Sequence, residues 1–311
     1  MKSKKFMVMI LLVILSFPAK IFADRSNIGT SGAAFLKIGA GARPAALGEA
    51  FGSLVGDVNN IFYNPAGLAG LTGVEFMAQY GLWFQSIGYN VLGLGYPVEK
   101  IGTFGVGIIN LNINNIDRRT ADTLAADGTF AAGDFAYILS YSRQISKRIA
   151  GGLNVKWISQ KIDTDLAQGL GADAGILWQP LTSPLTLGLA VQNLGNEIKF
   201  NEVSDPLPLN YKFGFGYKIF NDKIVLGLDF NLARDNDLRT CIGAEYNLSL
   251  KNEIGISIRS GYRTIASEQL GGLSGLSAGL GIIWRYFGFD FAWVPYGELG
   301  DTFRYCLRGK F

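Results

Sequence analysis

From Thr72 to Phe311, large apolar residues return at every second position, and what lies between them is mostly glycine or charge. Ile224, Leu226, Leu228, Phe230 and Leu232 alternate with Val225, Gly227, Asp229 and Asn231. Phe287, Phe289, Phe291 and Trp293 alternate with Gly288, Asp290 and Ala292. Phe303, Tyr305, Leu307 and Phe311 alternate with Arg304, Cys306, Arg308 and Lys310, with Gly309 interrupting the apolar side. A period of two belongs to β-strands whose faces meet different surroundings. A soluble sandwich alternates as well, with its polar face outward. Its outer face is seldom so rich in glycine, and its core positions are seldom so uniformly aromatic at the strand ends. Lipid outside and a polar lumen inside account for both faces.

Composition narrows this further. Glycine numbers 41, only 17% of residues are charged and 13% are aromatic. No stretch past the N-terminus approaches the ~20 continuous apolar residues of a spanning helix. A chain apolar enough for lipid but without such helices points to a closed β-barrel, the other structure that satisfies its backbone in hydrocarbon. A net charge of +3 with no later basic run gives no support to nucleic-acid binding. Met1 to Lys5 holds three lysines, Phe6 to Phe17 is apolar apart from Ser16, and Pro18 and Ala23 follow. That is the layout of a signal peptide over 1–23, expected to be cleaved after Ala23 although Ile21 fits poorly two residues earlier. No cysteine near the site would take a lipid anchor. Cys241 and Cys306 fall on inward positions; export permits a bridge between them, but two distant cysteines make no framework.

Strand cores and turn residues mark about fourteen segments: 73–83, 88–97, 101–113, 133–145, 148–162, 169–179, 184–194, 209–219, 223–234, 238–250, 253–264, 273–286, 287–297 and 301–311. The turns after even-numbered segments are short, as at Glu99-Lys100, Ser146-Lys147 and Asn221-Asp222. The long gaps, Asn114 to Ala132 and Gly195 to Pro208, both follow odd-numbered ones. This asymmetry fits a barrel over 72–311 with both termini periplasmic.

A barrel of this size encloses more space than its own side chains fill. The stretch from Gly32 to Leu71, within the region 24–71, is expected to fold inside it as a small helical plug. Leu47, Phe51, Leu54, Val55 and Val58 recur at spacings of three and four, which predicts one helical face. Pro44 suits the first turn of that helix. A second turn over Asn60 to Tyr63 should stop at Asn64-Pro65. Taken alone, the same residues also suit an amphipathic helix packed outside a sheet; the empty lumen favours the plug.

The run GAAFLKIGAGARPAALGEAF followed by DVNNIFYNPAGLAGL resembles the N-terminal signature of the PorV/PorQ family of outer-membrane proteins. The matching residues are Gly39, Ala42, Arg43, Gly48, Ala50, Asp57, Asn64, Pro65, Ala66, Gly67 and Leu68. Gly128-Thr129-Phe130, Asp134 and Ser140-Tyr141-Ser142 resemble the start of that family's fourth strand, and Phe311 resembles the C-terminal signal read by the barrel-assembly machinery. The family is similar in fold to the FadL fatty-acid transporters, whose plug carries an Asn-Pro-Ala motif. The resemblance implies an outer-membrane, FadL-like barrel of fourteen strands and one of two roles. The first is binding secreted proteins or secretion components in type IX secretion. The second is passing hydrophobic small molecules through the hatch into the membrane. The modest extracellular loops lean toward secretion, and an open porin or purely structural barrel is disfavoured by the plug.

The chain has no histidine, so Ser-His-Asp, Cys-His and His-based metal chemistry are excluded. Neither a cofactor motif nor a metal site is read, and no enzymatic role is expected. The acidic pairs Asp163 with Asp165 and Asp235 with Asp237 lie in predicted loops and read as solvated. Asp229, Asp290, Arg304, Arg308 and Lys310 are expected to line the lumen, either gripping the plug or a ligand or, as preferred, neutralising one another. Asn64-Pro65-Ala66 reads first as the turn into the first strand and second as a hatch hinge.

Overall fold

The structure, a computed structural model, describes residues 28–311 apart from 85–86, 123, 181–182, 201, 252, 265–270 and 272. The predicted signal peptide lies outside the described residues. Fourteen strands close an antiparallel barrel in the order β1-β16-β15-β14-β13-β12-β11-β10-β7-β6-β5-β4-β3-β2. They are β1 Glu75–Leu82, β2 Gly88–Val98, β3 Gly102–Arg118, β4 Gly128–Ser146, β5 Ile149–Ile162, β6 Asp165–Trp178 and β7 Leu185–Gly195. A two-stranded hairpin, β8 Ile198–Lys199 with β9 Ser204–Asp205, stands apart from the wall. The wall continues with β10 Asn210–Ile219, β11 Ile224–Ala233, β12 Arg239–Ser249, β13 Ile254–Arg263, β14 Leu276–Trp284, β15 Phe287–Pro295 and β16 Asp301–Lys310.

The alternation read from the sequence is the alternation of the wall. On β15, Phe287 and Phe289 are exposed while Gly288, Asp290, Ala292 and Val294 are buried. Leu153, Val155 and Trp157 of β5 point out while Asn154, Lys156 and Ile158 are buried. Along the regular stretches of such a closed ladder the backbone donors and acceptors pair with neighbouring strands, as hydrocarbon requires. The seam pairs Glu75 with Lys310 through to Leu82 with Phe303. It is tied off by the Phe311 amide donating to Val74 O at 2.8 Å. The Phe311 ring packs on Phe76, Tyr286 and Phe287. Cys241 and Cys306 are buried and unbridged.

The predicted loop over Asn114 to Ala132 is mostly strand: β3 and β4 stay paired to Arg118 and Gly128, across an irregularity between Ile113 and Ile116. Asn115 takes a positive φ of 58° there, a conformation Asn tolerates. The extra residue bends the hairpin without ending it. The Gly195 to Pro208 gap carries the β8–β9 hairpin, and Ile198 and Leu207 turn into the core.

The lumen is filled by the N-terminal segment, but the predicted helix through Leu47, Phe51, Leu54, Val55 and Val58 does not form. The helical pieces are a 3-10 turn over Ala34–Lys37, α1 over Ala42–Ala46, α2 over Asn60–Tyr63 and a 3-10 turn over Pro65–Gly70. Pro44 lies in the first turn of α1. After α1 the chain reverses at Gly48 (φ 62°) and Glu49 (φ 68°), and again at Gly56 (φ 80°). Left-handed residues end a helix, so the apolar side chains are buried from an irregular loop instead.

Candidate functional site

Residues 28–71 run the length of the lumen. At one end the Gly32 amide donates to Pro206 O at 3.0 Å, beneath the β8–β9 hairpin. Lys37 pairs there with Asp235 at 2.7 Å. At the other end Leu71 leads into β1. Asp235 is therefore buried in an ion pair, not solvated as the sequence suggested.

The wall meets this segment as bare backbone. A Cβ on Gly243 of β12 would stand 2.5 Å from Leu47 O, and one on Gly227 of β11 would stand 2.6 Å from Ala50 O. On Gly261 it would run into the Gly48 amide, on Gly188 into Gly52 O, and on Gly175 into the Asn64 side chain. Glycine recurs on the inward face because the plug's backbone occupies the space a side chain would need.

A chain of alternating charges fastens the plug. Arg43 of α1 donates to Asp57 Oδ2 at 2.7 Å, and side-on to Glu245 of β12 at 2.8 and 2.7 Å. Arg259 of β13 donates to the same Glu245 at 2.6 Å and to Asp290 of β15 at 2.6 Å. Arg308 of β16 reaches Asp290 at 3.2 Å. Three guanidiniums thus face three carboxylates, which offsets the cost of withdrawing them from water. Asp57 is buried, which opposes its charge, yet Arg43, Arg308 and the Asn59 amide prevail and hold its carboxyl below the usual carboxylate range. Glu49 is held low in the same way: burial opposes ionisation, and Arg263, Arg239 and Arg304 outweigh it. Arg263 hydrogen-bonds to Glu49, and Arg239 lies 3.5 Å from it.

The other residues singled out from the sequence fall at definite places on this interface. Asp229 of β11 accepts the Phe51 and Gly52 amides at 3.0 and 2.6 Å. Gly48 donates to Ser277 Oγ at 3.0 Å. Ala42 is fully buried in α1. Asn64 donates to Gly52 O at 2.7 Å and caps the following turn by accepting the Ala66 amide at 3.2 Å. Pro65 opens that turn, Ala66 O accepts Ser142 Oγ at 3.1 Å, and Gly67 O accepts the Gly56 amide at 3.0 Å. Arg304 donates to Gly39 O. Lys310 departs from the expected lumen lining: at the last position of β16, opposite Glu75, it is exposed at the rim. Glu245, Arg259, Glu49 and Arg263 were not singled out, although Glu245 and Arg259 occupy inward positions by the same alternation that marks Asp229.

Between plug and wall lies a chamber of about 80 Å³. Leu36, Ile38, Phe62, Tyr63, Ile109 and Ile138 form its apolar side; Lys156, Gln192, Asn193, Asn210, Lys212 and Arg239 form its polar side. Its cations are partnered: Lys156 Nζ lies 2.7 Å from Asp173, and Lys212 Nζ lies 3.9 Å from Asp229 and 4.8 Å from the Tyr63 ring centre.

The chain is similar in fold to solved transporters. The toluene transporter TbuX of Ralstonia pickettii matches over 88% of this chain and 98% of that one, with a TM-score of 0.60 at 13% identity. The toluene transporter TodX of Pseudomonas putida matches over 87% and 96%, with a TM-score of 0.57 at 10% identity. A FadL homologue of Pseudomonas aeruginosa matches over 84% and 96%, with a TM-score of 0.56 at 12% identity. No protein-family model matches the chain, and no curated protein matches it. Fourteen strands around an N-terminal plug are thus the FadL-like fold, reached here with a sequence far from those neighbours.

Proposed function

We propose that this protein is a non-enzymatic outer-membrane channel for small hydrophobic molecules, closed by its own N-terminal segment. The observation that carries the proposal is a closed barrel whose lumen is filled by a plug, in a fold shared with toluene transporters and a FadL homologue. Its chamber, at about 80 Å³, is smaller than the ~150 Å³ that takes a benzene ring in an engineered cavity. Passage therefore needs the plug to shift, and the present arrangement is the closed one. The type IX secretion role implied by the N-terminal resemblance draws no support from the comparisons, which favour hydrophobic uptake.

The test is permeation of toluene into liposomes holding the purified full chain, against empty liposomes and against sucrose. Toluene entry above the empty-liposome rate with sucrose excluded supports the proposal. Equal rates for toluene with and without protein, or free passage of sucrose, sink it.

A further inference from the structure

Arg304 is the largest fully buried side chain among the described residues. One of its nitrogens donates to Gly39 O of the plug, while Nε and Nη2 have no hydrogen-bond partner. Among the described residues no carboxylate pairs with it: Glu49, whose carboxyl group packs against Gly39, is already held by Arg263 and Arg239. Two guanidiniums hold the one carboxylate in this part of the lumen, and the third, Arg304, is left over. A guanidinium withdrawn from water with two idle donors is strongly unfavourable unless something accepts them.

The wall positions directly opposite Arg304 carry little or no side chain. Its direct neighbours across the two ladders are Gly81 of β1 and Ala292 of β15. Gly81 is in turn opposite Tyr89 of β2, whose hydroxyl is engaged with Ile38 O at 2.9 Å. Gln79 is one inward position along β1 from Gly81 and diagonal to Arg304, within reach of a long side chain. It is 4% exposed, and its Nε2 and Oε1 are both without partners. Trp83, the next inward position on the other side of Gly81, has a buried Nε1 that donates to nothing. The unpartnered atoms beside Gly81 are thus four donor nitrogens, two of them on a fixed cation, and a single amide oxygen.

We propose that the unpartnered groups of Arg304 and Gln79, beside Gly81, bind a small inorganic anion of chloride size, which neutralises Arg304 and pins the Gly39 segment of the plug to the β1–β16 seam. A neutral water would accept the donors but leave the charge; a halide does both. The site is separate from the chamber, since none of Gln79, Gly81 and Arg304 lines it.

The experiment uses the full chain in detergent, with sodium bromide as the probe and sodium gluconate at equal ionic strength as the control. Crystals grown in bromide should show an anomalous peak between Arg304 and Gln79. Bromide or chloride should raise Tm by a few degrees over gluconate. Gln79→Leu keeps the tie from Arg304 to Gly39 and should weaken the peak and reduce the Tm shift; Arg304→Gln should abolish both. A site without anomalous signal, together with equal Tm in halide and gluconate, overturns the proposal and assigns the space to water. A halide-dependent Tm that Gln79→Leu and Arg304→Gln both leave intact overturns it as well.

Discussion

Arg43 of the plug and Glu245 of β12 meet side-on through two hydrogen bonds of 2.8 and 2.7 Å, across 202 residues of chain. The same guanidinium holds Asp57, so one side chain joins two parts of the plug to the wall. Removing one partner of a buried charge pair strands the other, which costs about 3–5 kcal/mol. Arg43→Ala should therefore loosen the plug by roughly that amount. In planar bilayers the variant should show frequent open events where the parent is silent. Arg43→Lys should fall between them, since an ammonium cannot reproduce the fork that matches a carboxylate edge.

Acid should act on the same fastening. Asp57 and Glu49 are held below the ordinary carboxylate range by the arginines around them. A carboxylate depressed in the folded state adds stability that is complete above its unfolded value, about 3.9 for Asp and 4.3 for Glu. That stability is lost as pH falls through the lower folded value. The protection that Asp57 and Glu49 give the plug against protease should be complete from neutral pH down to about 5 and be lost in stronger acid, a loss that Asp57→Asn should reduce. An acid response that is the same in the parent and in Asp57→Asn would contradict this assignment.

The wall glycines predict an unusual sensitivity. Gly261→Ala places a methyl group against the backbone of Leu47 and Gly48, which cannot rotate away. Overpacking of this kind costs about 1–3 kcal/mol. The barrel should still assemble and run as a heat-modifiable band, while the plug becomes protease-accessible. Alanine at Gly128, where a Cβ meets nothing, should be silent in both assays.

The hairpin over the lumen can be locked to the plug. A Cβ built on Gly32 lies 3.7 Å from Ile198 Cβ, within the spacing of a disulfide. The double variant Gly32→Cys with Ile198→Cys should cross-link on mild oxidation and stop toluene entry, and reductant should restore it. Cross-linking without loss of entry would separate this end of the plug from the gate.

Much of this was legible in the residues. The alternation of β11, β15 and β16 settles which side chains face lipid, because a spanning strand has two unlike sides. The plug was legible as a segment but not as a shape. Leu47, Phe51, Leu54 and Val58 have helical spacing and are all buried, yet Gly48, Glu49 and Gly56 take positive φ. Burial on all sides makes periodicity a poor guide, since any backbone path inside the lumen buries its apolar residues. Lys310 obeys the inward parity but sits at the rim, where parity no longer separates wet from dry. The pairing of Arg43 with Glu245 was beyond reach, since nothing local joins residues so far apart.

The bare inward face of the wall has a consequence for how the molecule is to be imagined. Each glycine in a strand interior weakens that strand by roughly 0.5–1 kcal/mol relative to alanine, and here the missing packing is supplied by Leu47, Ala50, Gly52 and their neighbours. The barrel is thus a cast taken around its first residues, keeping their imprint in every place where a side chain is missing. Cutting out residues 28–71 would leave a slack, hollowed wall in place of a wide open pipe. Stopper and vessel are packed against each other along the lumen, and the proposed passage would open only as far as the two can part without coming undone.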